Sequence, residues 1–322
     1  SKKNQKCLKK CLTVIVFNSP SKDLSSILNN KEAIEYLNKT NFNFDISYVD
    51  ASSKGNSLPV KNAGVGLARK IGADLILEYC KESSTICYTD ADVILSDNYL
   101  KKITQYYNKH TCGCAIINFK HQKNSNPKIQ QAIIEYENLL KDIAKNIKRS
   151  GSPYGFVSMG STIVCSMKAY VLIGGIPPKK ATEDFYFLQK LAKYKPVYII
   201  DKILVYPSSR AEERVYLGTG FRMKNIYNNI PFNDLYIKPQ AYKDLNKLYQ
   251  EVELKWNHKS TEIMSCLAGN NSKLQQYLEQ NNFIEAFENI QKNITDKKQL
   301  LSQFHRWFDN LKIYKFLKLY GN

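Results

Sequence analysis

Residues 85–100 read TICYTDADVILSDNYL, setting Asp90 and Asp92 two positions apart directly after a short apolar run. Residues 85–88 have the length and composition of a buried strand, so the aspartates fall at its carboxyl end. Two like charges repel at that spacing unless a cation or a hydrogen-bond network compensates them. A divalent cation with oxygen ligands would do so, and Mg²⁺ or Mn²⁺ commonly takes one or two carboxylates together with substrate phosphates. The competing reading of D-x-D is a solvated loop offering two helix caps.

Working outward, residues 12–17 form a β-branched run ended by the turn NSPS, and FDISYVD forms another ending at Asp50. Between them, residues 21–40 carry Leu24, Ile27, Leu28, Ile34 and Leu37 at near-helical spacing. Residues 64–79 repeat that periodicity before the strand at 85–88. Strand, helix, strand, helix, strand predicts an α/β fold with a mostly parallel sheet covered by helices. Ligands of such sheets bind beyond the carboxyl ends of the strands, which is where Asp50, Asp90 and Asp92 fall. A helix over 96–110, a strand GCAIINF, a long amphipathic helix over 127–148, a helix opened by TEDFYFLQKLAKY and a strand PVYIID continue the pattern. From about Met223 the chain turns to helical stretches joined by Asn-rich turns, which predicts one domain over 1–222 and a helical extension over 223–322.

The chain has 322 residues, 43% hydrophobic and 24% charged, a balance that supports a packed core and excludes disorder as the default. Its 47 Lys and Arg against 29 Asp and Glu give +18, which favours an anionic partner: nucleic acid, a membrane surface or a phosphorylated small molecule. The eight cysteines form no C-x-x-C pair, so free thiols in a reducing compartment are expected ahead of a zinc site. The basic start followed by residues 12–17 imitates a signal peptide, but that run is too short for one. No window of 18 uninterrupted apolar residues predicts a membrane-spanning helix, and a cytoplasmic location is expected.

Taken together, YVDAS at Asp50, KNAGVGLARKIG at 61–72, YTDAD, and MGSTIVCSMKAYVLIGGIPPKKATEDFYFLQKL at 159–191 resemble a family 2 glycosyltransferase of the GT-A fold. The resemblance covers roughly residues 11–220, and its most specific piece is Gly174 and Gly175 preceding Glu183 and Asp184. It implies an inverting, Mn²⁺- or Mg²⁺-dependent enzyme with a Rossmann-like sheet, moving a sugar from a nucleotide-sugar, of the UDP type, to a hydroxyl of a glycan or lipid-linked acceptor. By the same resemblance Asp50 would contact the uridine, Asp90 the ribose and metal, and Asp92 the metal on the diphosphate. Asp184 would be the general base, with Glu183 in support. The chemistry agrees, since an alcohol attacks well only when a placed carboxylate takes its proton, and a departing diphosphate needs its charge stabilised.

Other features are less decided. GVGLAR lacks the third glycine of a dinucleotide fingerprint and no strand directly precedes it; Arg69 and Lys61 either approach the nucleotide or face solvent. PSSRAEERVYLGTGFRM offers Arg210 and Arg214, whose forks suit phosphate oxygens, or it is a plain surface loop. Gln303, Arg306 and Trp307 spell the Q-x-x-R-W of processive synthases, although Phe304, Trp307 and Phe308 also recur at core-packing spacing. His305 is a candidate late metal ligand. The final NLKIYKFLKLYGN is a basic amphipathic helix that either docks on its own domain or rests on an anionic membrane, as a peripheral contact on the inner face. Two rival functions stay open. A nucleotidyltransferase lacks its glycine-rich loop here, because that position reads NSPSKDLS; a basic nucleic-acid-binding protein would explain the charge but shows no recognisable module.

Overall fold

The computed structural model describes residues 11–212, 217–268 and 272–320. The chain divides into two compact units, one holding the residues up to Gln130 with Ser158–Tyr227, the other Gln131–Val157 with Asn228 onward.

In the first unit, β1 (Thr13–Asn18) and β2 (Ile46–Ala51) pair in parallel, with Phe17 opposite Asp50, and α1 (Leu24–Lys39) connects them. The side chain of Asp23 caps α1 by accepting from the Ser26 backbone N–H at 3.0 Å. After α2 (Val65–Leu75) come β3 (Thr85–Cys87), β4 (Ile94–Leu95), α3 (Tyr99–Lys109), β5 (Cys114–Phe119) and α4 (Pro127–Arg149). Then follow β6 (Ile163–Ser166), α5 (Met167–Leu172), α6 (Glu183–Tyr194), β7 (Val197–Tyr206) and α7 (Thr219–Tyr227).

The second sheet runs β3-β6-β5-β7-β4. It is mixed: β5 and β7 are parallel, whereas β3–β6, β5–β6 and β4–β7 are antiparallel. The α/β class with a helical C-terminal region therefore stands, while the expected mostly parallel sheet gives way to a mixed one. The cause is β6, inserted antiparallel between β3 and β5, and the two-residue β4 that pairs antiparallel with the end of β7. Strand β5 is apolar on both faces because it is buried, with Ala115 and Ile117 fully inaccessible. Ile163, Val164 and Cys165 of β6, and Phe187 and Leu188 of α6, complete that core.

The second unit takes in most of α4 and the loop to Val157, so residues 131–157, placed by the sequence in the first domain, join the helical region. Its remaining helices are α8 (Pro239–Leu254), α9 (Ser260–Ala268), α10 (Ser272–Gln280), α11 (Phe283–Asn293), α12 (Lys297–Trp307) and α13 (Asn310–Lys318). Phe283, Phe287, Phe304 and Phe308 form an aromatic core, with the Phe304 and Phe308 rings stacked at 6.1 Å. The Q-x-x-R-W letters lie on α12 beside this cluster. The apolar face of α13, Ile313, Phe316 and Leu317, is buried within the same unit. The seven described cysteines are free, and Cys112, Cys114 and Cys165 are buried. No helix among the described residues is long and apolar enough to cross a membrane.

Candidate functional site

The acid cluster is assembled from three distant stretches of the first unit. Asp90 and Asp92 follow β3 in the loop leading to β4; Glu183 and Asp184 form the first turn of α6; Arg69 projects from α2. One guanidinium nitrogen of Arg69 donates to Asp90 Oδ1 and the other to Glu183 Oε1. The side chains of Arg69 and Glu183 are 10% and 5% exposed, whereas Asp90 is 40% exposed. Arginine suits this bridge because its planar fork presents donors in fixed directions and stays charged.

Burial pushes the Glu183 carboxyl up to about 7, with Arg69 pulling it down and Asp184 adding to the rise. Burial also raises Asp184, opposed by Arg69 and by hydrogen bonds from the backbone N–H groups of Phe185 and Gly160. Burial works against the charge on Arg69, but Asp90, Glu183 and Asp184 outweigh it and raise its pKa. The position of the acid pair at a helix N-terminus favours its charged form. Thr182, just before the pair, is held left-handed at φ 62°, a costly conformation for a β-branched residue, so backbone strain sits where the pair is presented.

Three glycines make the convergence possible. A Cβ on Gly160 would lie 2.2 Å from an Arg69 terminal nitrogen. On Gly64 it would lie 2.6 Å from Lys180 Cα, and on Gly66 2.3 Å from the Lys179 carbonyl oxygen and 2.9 Å from Glu183 Cβ. The GVG letters thus serve the close approach of α2 to the segment before α6. Gly66→Ala is expected to destabilise the protein by about 1–3 kcal/mol through overpacking against backbone that cannot yield, to be read as a lower midpoint in thermal unfolding.

Asp92 belongs to a second, more open arrangement. Its Oδ2 lies 3.2 Å from Arg210, which also reaches Glu212 at 3.3 Å. Arg210 is 54% exposed, so this pairing is weak and easily displaced. The backbone here is fixed by a residue the sequence reading did not single out: Gln122 Nε2 donates to the carbonyls of Asp92 and Tyr206, both at 2.8 Å. Two positions on, Asn124 Nδ2 donates to the Ser209 carbonyl at 3.1 Å. These side chains lie just beyond the carboxyl end of β5, the edge where ligand-binding residues of such sheets gather, and that location was the available signal.

Asp50, at the end of β2, makes no contact with this cluster among the described residues. Its Oδ1 accepts from the backbone N–H groups of Ser52 and Ser53 and from the Ser52 hydroxyl, all at 3.0 Å. Burial opposes its ionisation, but the serine hydrogen bonds prevail and hold it at about 2, a permanent anion. Lys61 is exposed in a turn before α2. Arg214 lies outside the described residues. His305 belongs to the second unit, its ring 5.1 Å from that of Tyr249, and burial lowers its pKa to about 4.

The donor set around Asp90 and Asp92 fits a hard divalent cation. One oxygen of each carboxylate is taken by an arginine, and the other carries no hydrogen bond or ion pair among the described residues. No group of three or more His, Cys, Asp or Glu that could hold a metal occurs among the described residues. Two carboxylates would leave the rest of a shell to phosphate oxygens and water, the usual habit of Mg²⁺ and Mn²⁺.

No protein-family model matches the chain, and no curated protein matches it. Among solved structures, it is similar to S. aureus TarS 1-349 in complex with UDP-GlcNAc, at 13% identity over 94% of this chain and 85% of that one, with a TM-score of 0.45. Similar too is the mannosyltransferase PcManGT from Pyrobaculum calidifontis in complex with GDP-Man and Mn²⁺, at 13% identity over 94% and 80%, with a TM-score of 0.40.

Proposed function

We propose that the protein is an inverting, metal-dependent glycosyltransferase of the GT-A, family 2 type. It would move a sugar from a nucleotide-sugar, UDP-linked by its sequence resemblance, to an acceptor hydroxyl on a glycan or lipid-linked molecule. The observation that carries this reading is the convergence of Asp90 with the acid pair Glu183–Asp184 around one buried arginine, next to an Asp92 whose remaining oxygen is open.

In this reading Asp92 and Asp90 would hold Mn²⁺ or Mg²⁺, which when bound offsets the charge on the diphosphate. Asp50, already ionised and oriented by Ser52 and Ser53, accepts a hydrogen bond from the nucleoside. Arg210 can exchange its weak pairing with Asp92 for phosphate oxygens, and Lys61 is free to swing toward them. Asp184 takes the acceptor proton. It is the better placed of the pair, because Glu183 is almost fully covered and committed to Arg69, while Asp184 keeps some surface exposure. The acid at 183 keeps the guanidinium in place beneath it. Direct displacement with one base and no protein nucleophile inverts the anomeric centre.

The experiment is incubation with UDP-GlcNAc, UDP-glucose or GDP-mannose and Mn²⁺ while free nucleotide is followed. Release from one donor, abolished by EDTA, supports the reading. A nucleotidyltransferase would instead release pyrophosphate from a nucleoside triphosphate and a sugar phosphate. A nucleic-acid-binding protein would release nothing and bind RNA or DNA with steep salt dependence.

A further inference from the structure

The two arginines at the acid cluster differ in kind. Arg210 is exposed and shares itself between Asp92 and Glu212. Arg69 is covered, and its fork is split between a carboxylate on the nucleotide side of the proposed site and one on the acceptor side. The backbone around it is cut to admit it, since a side chain on Gly160 would occupy the place of both terminal nitrogens, at 2.2 and 2.4 Å. Gly66, on the same helix as Arg69, lets that helix lie against the Glu183 side chain. A rigid planar cation with one nitrogen on each acid leaves neither acid free to move without the other.

We propose that Arg69 is a positioning residue that couples the two halves of the site, so that what occupies Asp90 is felt at Glu183. This rests on the sugar-transfer reading above. A divalent cation and diphosphate held at the free oxygen of Asp90 would weaken that carboxylate's hold on Arg69, and the guanidinium would then settle more firmly on Glu183 and Asp184, fixing the acid pair. By reciprocity, whatever weakens the hold of Glu183 on Arg69 strengthens its hold on Asp90 and makes that carboxylate less available.

The test is a double-mutant cycle read by calorimetry with UDP and Mn²⁺, or with GDP or dTDP if the intact chain prefers one of them. Glu183→Gln should weaken binding about fivefold when Arg69 is present and by less than about twofold in an Arg69→Met background. Thermal unfolding reports whether each variant folds. Should Arg69→Met not fold, Gly160→Ala, which displaces the guanidinium without removing charge, takes its place and should abolish the same difference. An effect of Glu183→Gln that is absent, or equal in both backgrounds, overturns the coupling while leaving the transferase reading intact. An intact chain that binds none of the three nucleotides with Mn²⁺ overturns that reading, and the coupling with it.

Discussion

Asp184→Asn is expected to lower turnover by about a thousandfold while leaving nucleotide affinity within about twofold, the pattern of a lost general base. The substitution is nearly isosteric. An amide oxygen at the same place still accepts the Phe185 backbone N–H, now bonded to Oδ1 at 2.7 Å, so the first turn of α6 keeps its geometry. What disappears is the capacity to take a proton. Burial disfavours the charge on Asp184 in spite of Arg69, so removing that charge should leave the variant unfolding at no lower temperature than the parent. Retained turnover would move the base elsewhere, and Glu183→Gln would be the next variant to assay.

Asp92→Ala should weaken nucleotide binding in Mn²⁺ by about 100-fold, equivalent to about 2.7 kcal/mol, and leave what binding remains insensitive to EDTA. Asp92 is partly exposed and is held only by a screened contact with Arg210. Arg210 keeps Glu212 as a partner after the change, and Gln122 still holds the backbone carbonyl at position 92, so the loop retains its course. Asp50 is untouched and, in the proposed reading, would still contact the nucleoside. Comparing calorimetric affinities with Mn²⁺ and with EDTA, for parent and variant, separates loss of the proposed metal ligand from loss of the fold.

Much of this arrangement was legible in the chain, for reasons that differ by element. Strands β1, β2, β3 and β5 were readable because β-branched runs are bounded by turns, and α4 and α6 because their apolar spacing is helical over many residues. Strand β6 and helix α5 were not, because STIVCSMKAYVL passes from one to the other without punctuation and a short apolar run has no diagnostic period. The direction of β6 is a long-range fact, set by its pairing with β3 and β5, and it makes the sheet mixed. The assignment of 131–157 to the helical unit was hidden because α4 runs unbroken through the division at Gln130.

At the site, the acids were visible as D-x-D and as ED, but their bridge was not. A lone arginine on a glycine-bearing helix looks the same whether it faces solvent or a buried acid pair. Only the fold brings it to Asp90 and Glu183, residues 21 and 114 positions away. Gln122 was missed for a related reason: its role is to hold backbone carbonyls, and no motif records such contacts.

The most direct measurement of the central claim is calorimetric titration of the intact chain with UDP, GDP and dTDP, first with Mn²⁺ and then with EDTA. Saturable binding of one nucleoside diphosphate that requires the metal is the predicted result, and it would establish the donor site at Asp90 and Asp92 once Asp92→Ala removes it. No binding of any of the three, in the presence of Mn²⁺, would contradict the account and leave the aspartates as a solvated loop beside a buried ion pair.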